Sequence, residues 1–265
     1  MLRLPVLLAA LVVSACSLSP GHRAPAPDAL AGYRQAVVTA HPLATKAGLA
    51  MLERGGSPVD AAIAAQMVLG LVEPQSSGIG GGSLVLHWDA ATARLSSYDG
   101  LAAAPARATA SLRTDTDDKL LPSEPSQRGG RTVGVPGTVA VLAMAHRRHG
   151  KLAWGDLFGP AIDIAERGFP MPRYLHGILS APGAAKDLAE LRELYFAADG
   201  SPLPVGATVR NPAYAKTMRR LALGGPEGFL DGGGARAIVE AAQRGFRPSL
   251  MTEDDLRDYR AVERD

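Results

Sequence analysis

Three regimes of hydrophobic patterning succeed one another along the chain. Residues 4–13 form an apolar run broken only by Pro5, behind one positive charge at Arg3 and ahead of the small residues Ser14 and Ala15. A run this short, with a basic start and small residues at its end, predicts a secretory signal and not a spanning helix. Cys16, the chain's single cysteine, falls where cleavage is expected. Val13-Ser14-Ala15-Cys16 resembles a bacterial lipobox, so lipidation of Cys16 and attachment to a membrane surface are expected, with residues 1–15 removed. The stretch 16–35 is rich in Pro, Ala and Ser without periodicity and reads as a flexible tether.

From residue 36 onward the pattern is that of a folded region running to residue 265. A β-branched run at 36–40 predicts a short buried strand. Residues 42–54 (PLATKAGLAMLER) set Leu43, Ala47, Ala50 and Met51 on one helical face, and Gly55-Gly56 ends that helix. Ser57-Pro58-Val59-Asp60 opens a second, with Ser57 as cap, Pro58 in the first turn and Asp60 at the positive end of the dipole. Residues 61–72 are apolar nearly all round, which predicts burial on most sides. After the glycine loop 78–82, residues 83–88 and 94–98 alternate as two strands joined by a turn at 89–92, a hairpin. Residues 111–131 are polar and read as a surface excursion. Helical signals then dominate: 137–149, 154–167, one opening at Asn211-Pro212, 234–244, and a last short one capped by Thr252. Strand, helices, hairpin and helices in that order predict α plus β layers with a sheet short of strands. Residues 261–265 resemble no domain end, so the expectation is that the sequence continues.

Composition and charge exclude some functions. The chain has 265 residues, 46% hydrophobic and 20% charged, with net charge +2, or +1 once Arg3 leaves with the signal. That balance gives no support to nucleic-acid binding, which needs a clustered basic face. Aromatics are sparse at 5%, whereas Gly (30) and Pro (20) are plentiful, pointing to turns and close-packed helices.

Self-contained chemistry is hard to find. There is no G-x-S-x-G elbow and no H-E-x-x-H, and a lipidated Cys16 is no nucleophile. His146 and His149 lie three apart on a predicted helix, which suits cations at a helix C-terminus better than a metal face. His22, His41, His87 and His176 are scattered without acidic partners at ligand spacing, so no metal or cofactor is expected. Gly78-Ile79-Gly80-Gly81-Gly82 follows a helix and opens a strand, the reverse of a dinucleotide loop. Likewise the run 132–138 reads as a structural connection.

In order and spacing, several stretches resemble the large-subunit portion of the γ-glutamyltransferase (γ-glutamyltranspeptidase) family. They include His41-Pro42-Leu43-Ala44-Thr45, Gly55-Gly56-Ser57-Pro58-Val59-Asp60-Ala61-Ala62 and Glu73-Pro74-Gln75-Ser76-Ser77-Gly78-Ile79-Gly80-Gly81-Gly82. Tyr98-Asp99-Gly100 with Ala104-Pro105-Ala106, Val135-Pro136-Gly137-Thr138-Val139 and Pro160-Ala161-Ile162 follow. Ala165-Glu166-Arg167-Gly168-Phe169 and Thr252-Glu253-Asp254-Asp255-Leu256 with Tyr259 complete the set.

The resemblance implies an α+β fold, an αββα sandwich of the N-terminal-nucleophile hydrolase type that this chain fills only in part. It also implies self-cleavage, a threonine nucleophile on a separate small subunit, γ-glutamyl amides or peptides of the glutathione kind as donors, and no cofactor. The catalytic threonine is expected outside this chain. In the family, an arginine that binds the donor carboxylate follows the strand corresponding to Tyr98-Asp99-Gly100; here that position is Leu101, and Ala102 follows. A leucine makes no charge-assisted fork to a carboxylate. Arg107 and Arg113 are the nearby cations in sequence that could stand in. Two other readings follow from the same residues: an acylase of this fold whose apolar pocket Leu101 lines, and a non-catalytic envelope lipoprotein that keeps the scaffold.

Overall fold

The computed structural model describes residues 34–109, 112, 114, 119–120, 129–181, 188–244 and 247–264. The expected signal segment, Cys16 and the expected tether up to Tyr33 lie outside the described residues, as does most of the stretch 111–131. The chain divides into two units, residues 1–36 and residues 37–265; everything below concerns the second.

Helices α1 (Pro42–Glu53) and α2 (Pro58–Val72) pack along each other. Each begins on cap chemistry. His41 accepts from the Leu43 N–H through Nδ1 at 3.2 Å, ahead of Pro42 in the first turn. Ser57 and Asp60 form a reciprocal box, Ser57 Oγ accepting from the Asp60 N–H at 3.1 Å and Asp60 Oδ2 from the Ser57 N–H at 2.8 Å. Helix α2 buries most of its surface, as its all-round apolar run requires.

Strands β1 (Ser83–Asp89) and β2 (Arg94–Gly100) form the expected hairpin, with Ser83 opposite Gly100 and Asp89 opposite Arg94. A third strand, β5 (Val262–Arg264), pairs antiparallel with β2, setting Val262 opposite Asp99 and Arg264 opposite Ser97. Helix α3 (Thr138–His149) lies on the inner face of this sheet and meets α2 behind it. The contact with the sheet is close: a Cβ on Gly100 would sit 2.4 Å from Val141 Cβ, so only glycine admits the helix there. The outer face carries Leu84, Leu86, Trp88, Leu95, Leu101 and Val262, all exposed. The alternation of β1 is thus inverted relative to a soluble sheet, with its large apolar side chains turned outward and His87 turned in.

The remainder is helical: α4 (Gly159–Arg167), α5 (Arg173–Ser180), α6 (Ala189–Tyr195), α7 (Pro212–Gly224), α8 (Glu227–Leu230), α9 (Gly232–Gln243) and α10 (Glu253–Arg257). A two-stranded ladder joins β3 (Phe169–Pro170) to β4 (Thr208–Val209). These elements share one core centred on Met67, Leu71, Leu157, Phe158, Met218 and Leu221. The excursion is held at its described points by Arg247, whose Nη2 donates to the carbonyls of Leu112 (2.9 Å) and Thr114 (3.1 Å).

Two expectations need correction. No strand forms at 36–40: Val37 packs on the core beside Gly48, whereas Val38 is 93% exposed and pairs with nothing. The predicted helix 154–167 is a 3₁₀ segment, Trp154–Phe158, followed by α4, with the change at Gly159-Pro160 because proline suits a helix start and not a helix interior. Helices α5, α6 and α8 and strands β3, β4 and β5 were not anticipated.

Candidate active site

The loop from Glu73 to Gly82 carries the chain from the end of α2 into β1, and it borders a cavity of about 480 Å³ lined in part by Gln66, Gln75, Ser76, Ser77 and Gly80. Glu73 is buried and accepts from the Gln75 side-chain amide, while Gln75 Oε1 has no hydrogen-bond partner among the described residues. The far end of the loop is gripped by the start of α3: the Gly81 carbonyl accepts from the Gly137 N–H (2.9 Å) and the Thr138 N–H (3.2 Å). Ser83 and Thr138 hydroxyls bond at 3.0 Å.

That grip presses Gly82 onto the stretch just beyond β2. A Cβ on Gly82 would lie 2.4 Å from the Ala102 nitrogen and 2.6 Å from Leu101 Cα, so the glycine is required by close backbone approach. Leu101 is further fixed through both its backbone polar groups. Its N–H donates to Asp99 Oδ1 (2.9 Å), and its carbonyl accepts from the Tyr259 hydroxyl (2.7 Å). Position 101 is therefore a rigid platform with a 54% exposed side chain. The other oxygen of Asp99 takes the Arg264 fork, Nε at 2.8 Å and Nη2 at 2.7 Å. The Leu101 N–H first and the Arg264 guanidinium second hold the Asp99 carboxyl below the usual carboxylate range. Burial, and then the Asp99 charge, push the Tyr259 hydroxyl up, which keeps it a proton donor to Leu101.

The predicted stand-ins for the missing cation do not converge here. Arg107 is exposed and sits where its charge acts on Asp255, while Arg113 lies outside the described residues. Neither Tyr259, on the Leu101 carbonyl, nor Arg264, on the Asp99 carboxylate, is singled out as clamp or cation from sequence. Their separation from those partners, more than 150 residues, leaves no local signal by which to find them.

The helical histidines part company. His146 donates through Nε2 to the Leu152 carbonyl (2.9 Å), whereas His149 bonds the Tyr98 hydroxyl through Nε2 (2.7 Å) and stacks on His87 at 3.7 Å. Among the described residues no cluster of three or more histidine, cysteine or acidic side chains could hold a metal.

Comparison with known proteins places the chain. It belongs to the Gamma-glutamyltranspeptidase family, which it matches over residues 44–265. A glutathione hydrolase proenzyme of Bacillus subtilis is 36% identical over 229 residues, covering 84% of this chain and 38% of that protein. Glutathione hydrolase 5 proenzyme of Mus musculus is 35% identical over 255 residues, covering 93% of this chain and 42% of that protein. The chain thus spans about two fifths of the length of these relatives. Among solved structures, the γ-glutamyltranspeptidase of Helicobacter pylori superposes with a TM-score of 0.81 at 27% identity, covering 87% of this chain and 65% of that one. A cephalosporin acylase from Bacillus halodurans gives 0.73 at 28% identity, covering 94% and 46%. The fold class is α+β, of the N-terminal-nucleophile hydrolase type shared by these neighbours.

Proposed function

We propose that the chain is the large-subunit part of an exported γ-glutamyl amide hydrolase or transferase, tethered to a membrane surface by lipid on Cys16. The observation that carries this reading is the platform at position 101, held by Asp99, Tyr259 and Gly82 at the strand end where the family binds the donor carboxylate. The names of the relatives, glutathione hydrolases, supply the substrate class. The nucleophile belongs to a small subunit beginning with threonine. Its hydroxyl attacks the γ-carbonyl, the proton passes through its own α-amine to the departing amine, and water or an amine acceptor then resolves the ester. The outward apolar face of the sheet fits this arrangement, because a sandwich needs a second sheet to cover Leu84, Leu86, Trp88 and Leu95. No helix among the described residues is long and apolar enough to cross a membrane.

One observation favours a second reading, an acylase acting on other amides: position 101 presents an exposed leucine where a carboxylate would need a cation, and a cephalosporin acylase is among the structural neighbours. The full-length enzyme assayed side by side on a γ-glutamyl anilide and an uncharged aliphatic acyl anilide separates the two. Faster turnover of the γ-glutamyl compound supports the first reading; exclusive turnover of the aliphatic one overturns it.

A further inference from the structure

We propose that the cavity between α3, α8 and the stretch after α10 binds a small zwitterion with an apolar side chain, a free apolar amino acid or its dipeptide. This inference does not depend on the γ-glutamyl reading above. The cavity has a volume of about 490 Å³, within the range of about 300–1,000 Å³ typical of small-molecule sites. Its floor is apolar. Ala140 and Met144 stand one turn apart on a single stripe of α3, and Leu230 and Ala261, each 8% exposed, complete the floor from the other elements. Two of these four side chains are alanines, which leaves the room that a ligand needs.

The rim carries charges of both signs, and several are already answered by the protein. Arg257 pairs with Asp254 and Asp258, and the Asp231 charge acts on it as well. Asp231 also caps α9, accepting from the Gly232 N–H at 2.7 Å. Three rim groups are left open. Arg147, next along the α3 stripe, makes no hydrogen bond or ion pair among the described residues, and neither does the Glu227 carboxylate. Arg260 spends only Nη1, on the carbonyls of Arg257 (2.7 Å) and Tyr259 (2.8 Å); this orients its guanidinium and leaves Nε and Nη2 without partners among the described residues. Two open guanidiniums and one open carboxylate therefore stand over an apolar floor. A simple anion would meet the Glu227 charge, and a simple cation would meet the two arginines. A molecule with both a carboxylate and an ammonium satisfies both sides through charge-assisted hydrogen bonds, and an apolar side chain covers Met144 and Leu230.

Isothermal titration of the full-length protein tests this with leucine and leucyl-leucine as probes. At least one is expected to bind with a Kd of about 1 mM or tighter, a modest return per non-hydrogen atom, and the tighter of the two tells the free amino acid from the dipeptide. Its N-acetyl form, which lacks the ammonium, and its amide, which lacks the carboxylate, should each bind about 10-fold or more weakly, the low end of the loss for a hydrogen bond to a charged group. Arg147→Gln is expected to weaken the unmodified probe and leave the amide unchanged. Glu227→Gln is expected to weaken the unmodified probe and leave the N-acetyl form unchanged. General loss of structure would not produce that crossed pattern. Ala140→Phe, which fills the cavity from α3, should abolish binding while the protein still melts cooperatively; should it fail to fold, the crossed pattern decides alone. Binding that survives in a folded Ala140→Phe variant, equal affinity for the probe and its two capped forms, or no binding of either probe would overturn the assignment. Each of these results would leave the γ-glutamyl reading untouched, because that reading is tested by anilide turnover.

Discussion

Replacing Asp60 by alanine should destabilise the fold more than any other single truncation of a polar side chain. The carboxylate is fully buried at the start of α2, and its Oδ2 accepts three backbone N–H groups: Ser57 (2.8 Å), Lys151 (2.9 Å) and Leu152 (3.1 Å). It therefore both caps a helix and ties that helix to the connection between α3 and the 3₁₀ segment. His146 Nε2 lies 3.5 Å from Oδ1 but gives its proton to the Leu152 carbonyl. Alanine leaves the buried Ser57 N–H without a partner, at about 1–3 kcal/mol, and strips two more donors that water reaches in part. Together with the lost cap the cost should be about 3–5 kcal/mol, a large share of a typical total stability. Each kcal/mol lowers the melting temperature by about 2–4 °C in a domain of about 150–250 residues and by less in a longer cooperative unit, so a thermal melt of the full-length enzyme should drop by several degrees and by about 20 °C at most. Asp60→Asn keeps one acceptor oxygen and should lose about 1–2 kcal/mol. An alanine variant within about 1 kcal/mol of the parent, or an asparagine variant as damaged as alanine, would refute the reasoning.

The other expectations concern the platform, the histidine stack and the bare sheet. Gly82→Ala should cost about 1–3 kcal/mol by overpacking against the backbone of Leu101 and Ala102, and should lower kcat/KM beyond what that instability explains. Gly80→Ala two residues away, where nothing lies within 4 Å of the new Cβ, should stay within about 0.5 kcal/mol of the parent. Burial first, then the neighbouring His87 and Arg148, depress the pKa of His149 below 6.5, opposed by Asp89 and Glu263. The unfolded chain therefore binds the extra proton first, so stability should be complete above pH 6.5 and should fall as pH drops through the lowered native value. His149→Gln, which keeps a partner for Tyr98, should flatten that slope in urea titrations; an unchanged slope would contradict it, with His41 supplying only the remainder. Expressed without the rest of the protein, the 265-residue chain should aggregate through the outer face of β1 and β2. A soluble, cooperatively melting fragment would count against the bare-face reading.

The parts of this fold written in local chemistry were readable from sequence. Ser57, Pro58 and Asp60 announce α2 because a cap, a first-turn proline and a carboxylate at the dipole act within one turn. The hairpin was readable because Asp89 closes its own turn, accepting from the Ala91 N–H and the Thr92 hydroxyl. Short elements escaped: α5, α6 and α8 have eight, seven and four residues, too few for a helical period to stand out. Strand β5 escaped because its three residues, Val262-Glu263-Arg264, are all exposed and too few to show an alternation, and they pair only with β2 among the described strands. The run at 36–40 misled because β-branched residues fit an extended chain whether or not a neighbour is there to pair. At the site, the leucine at 101 was visible through the family resemblance, whereas its clamp was not. Asp99–Arg264 and Leu101–Tyr259 join residues that only the fold brings together.

Mass analysis of the purified full-length protein, before and after incubation with a γ-glutamyl donor, tests the central claim most directly. The account predicts two polypeptides from one precursor, a larger one containing the folded region described above and a smaller one beginning with threonine, and a γ-glutamyl adduct on the smaller one alone. An uncleaved protein that takes up no γ-glutamyl group would contradict it.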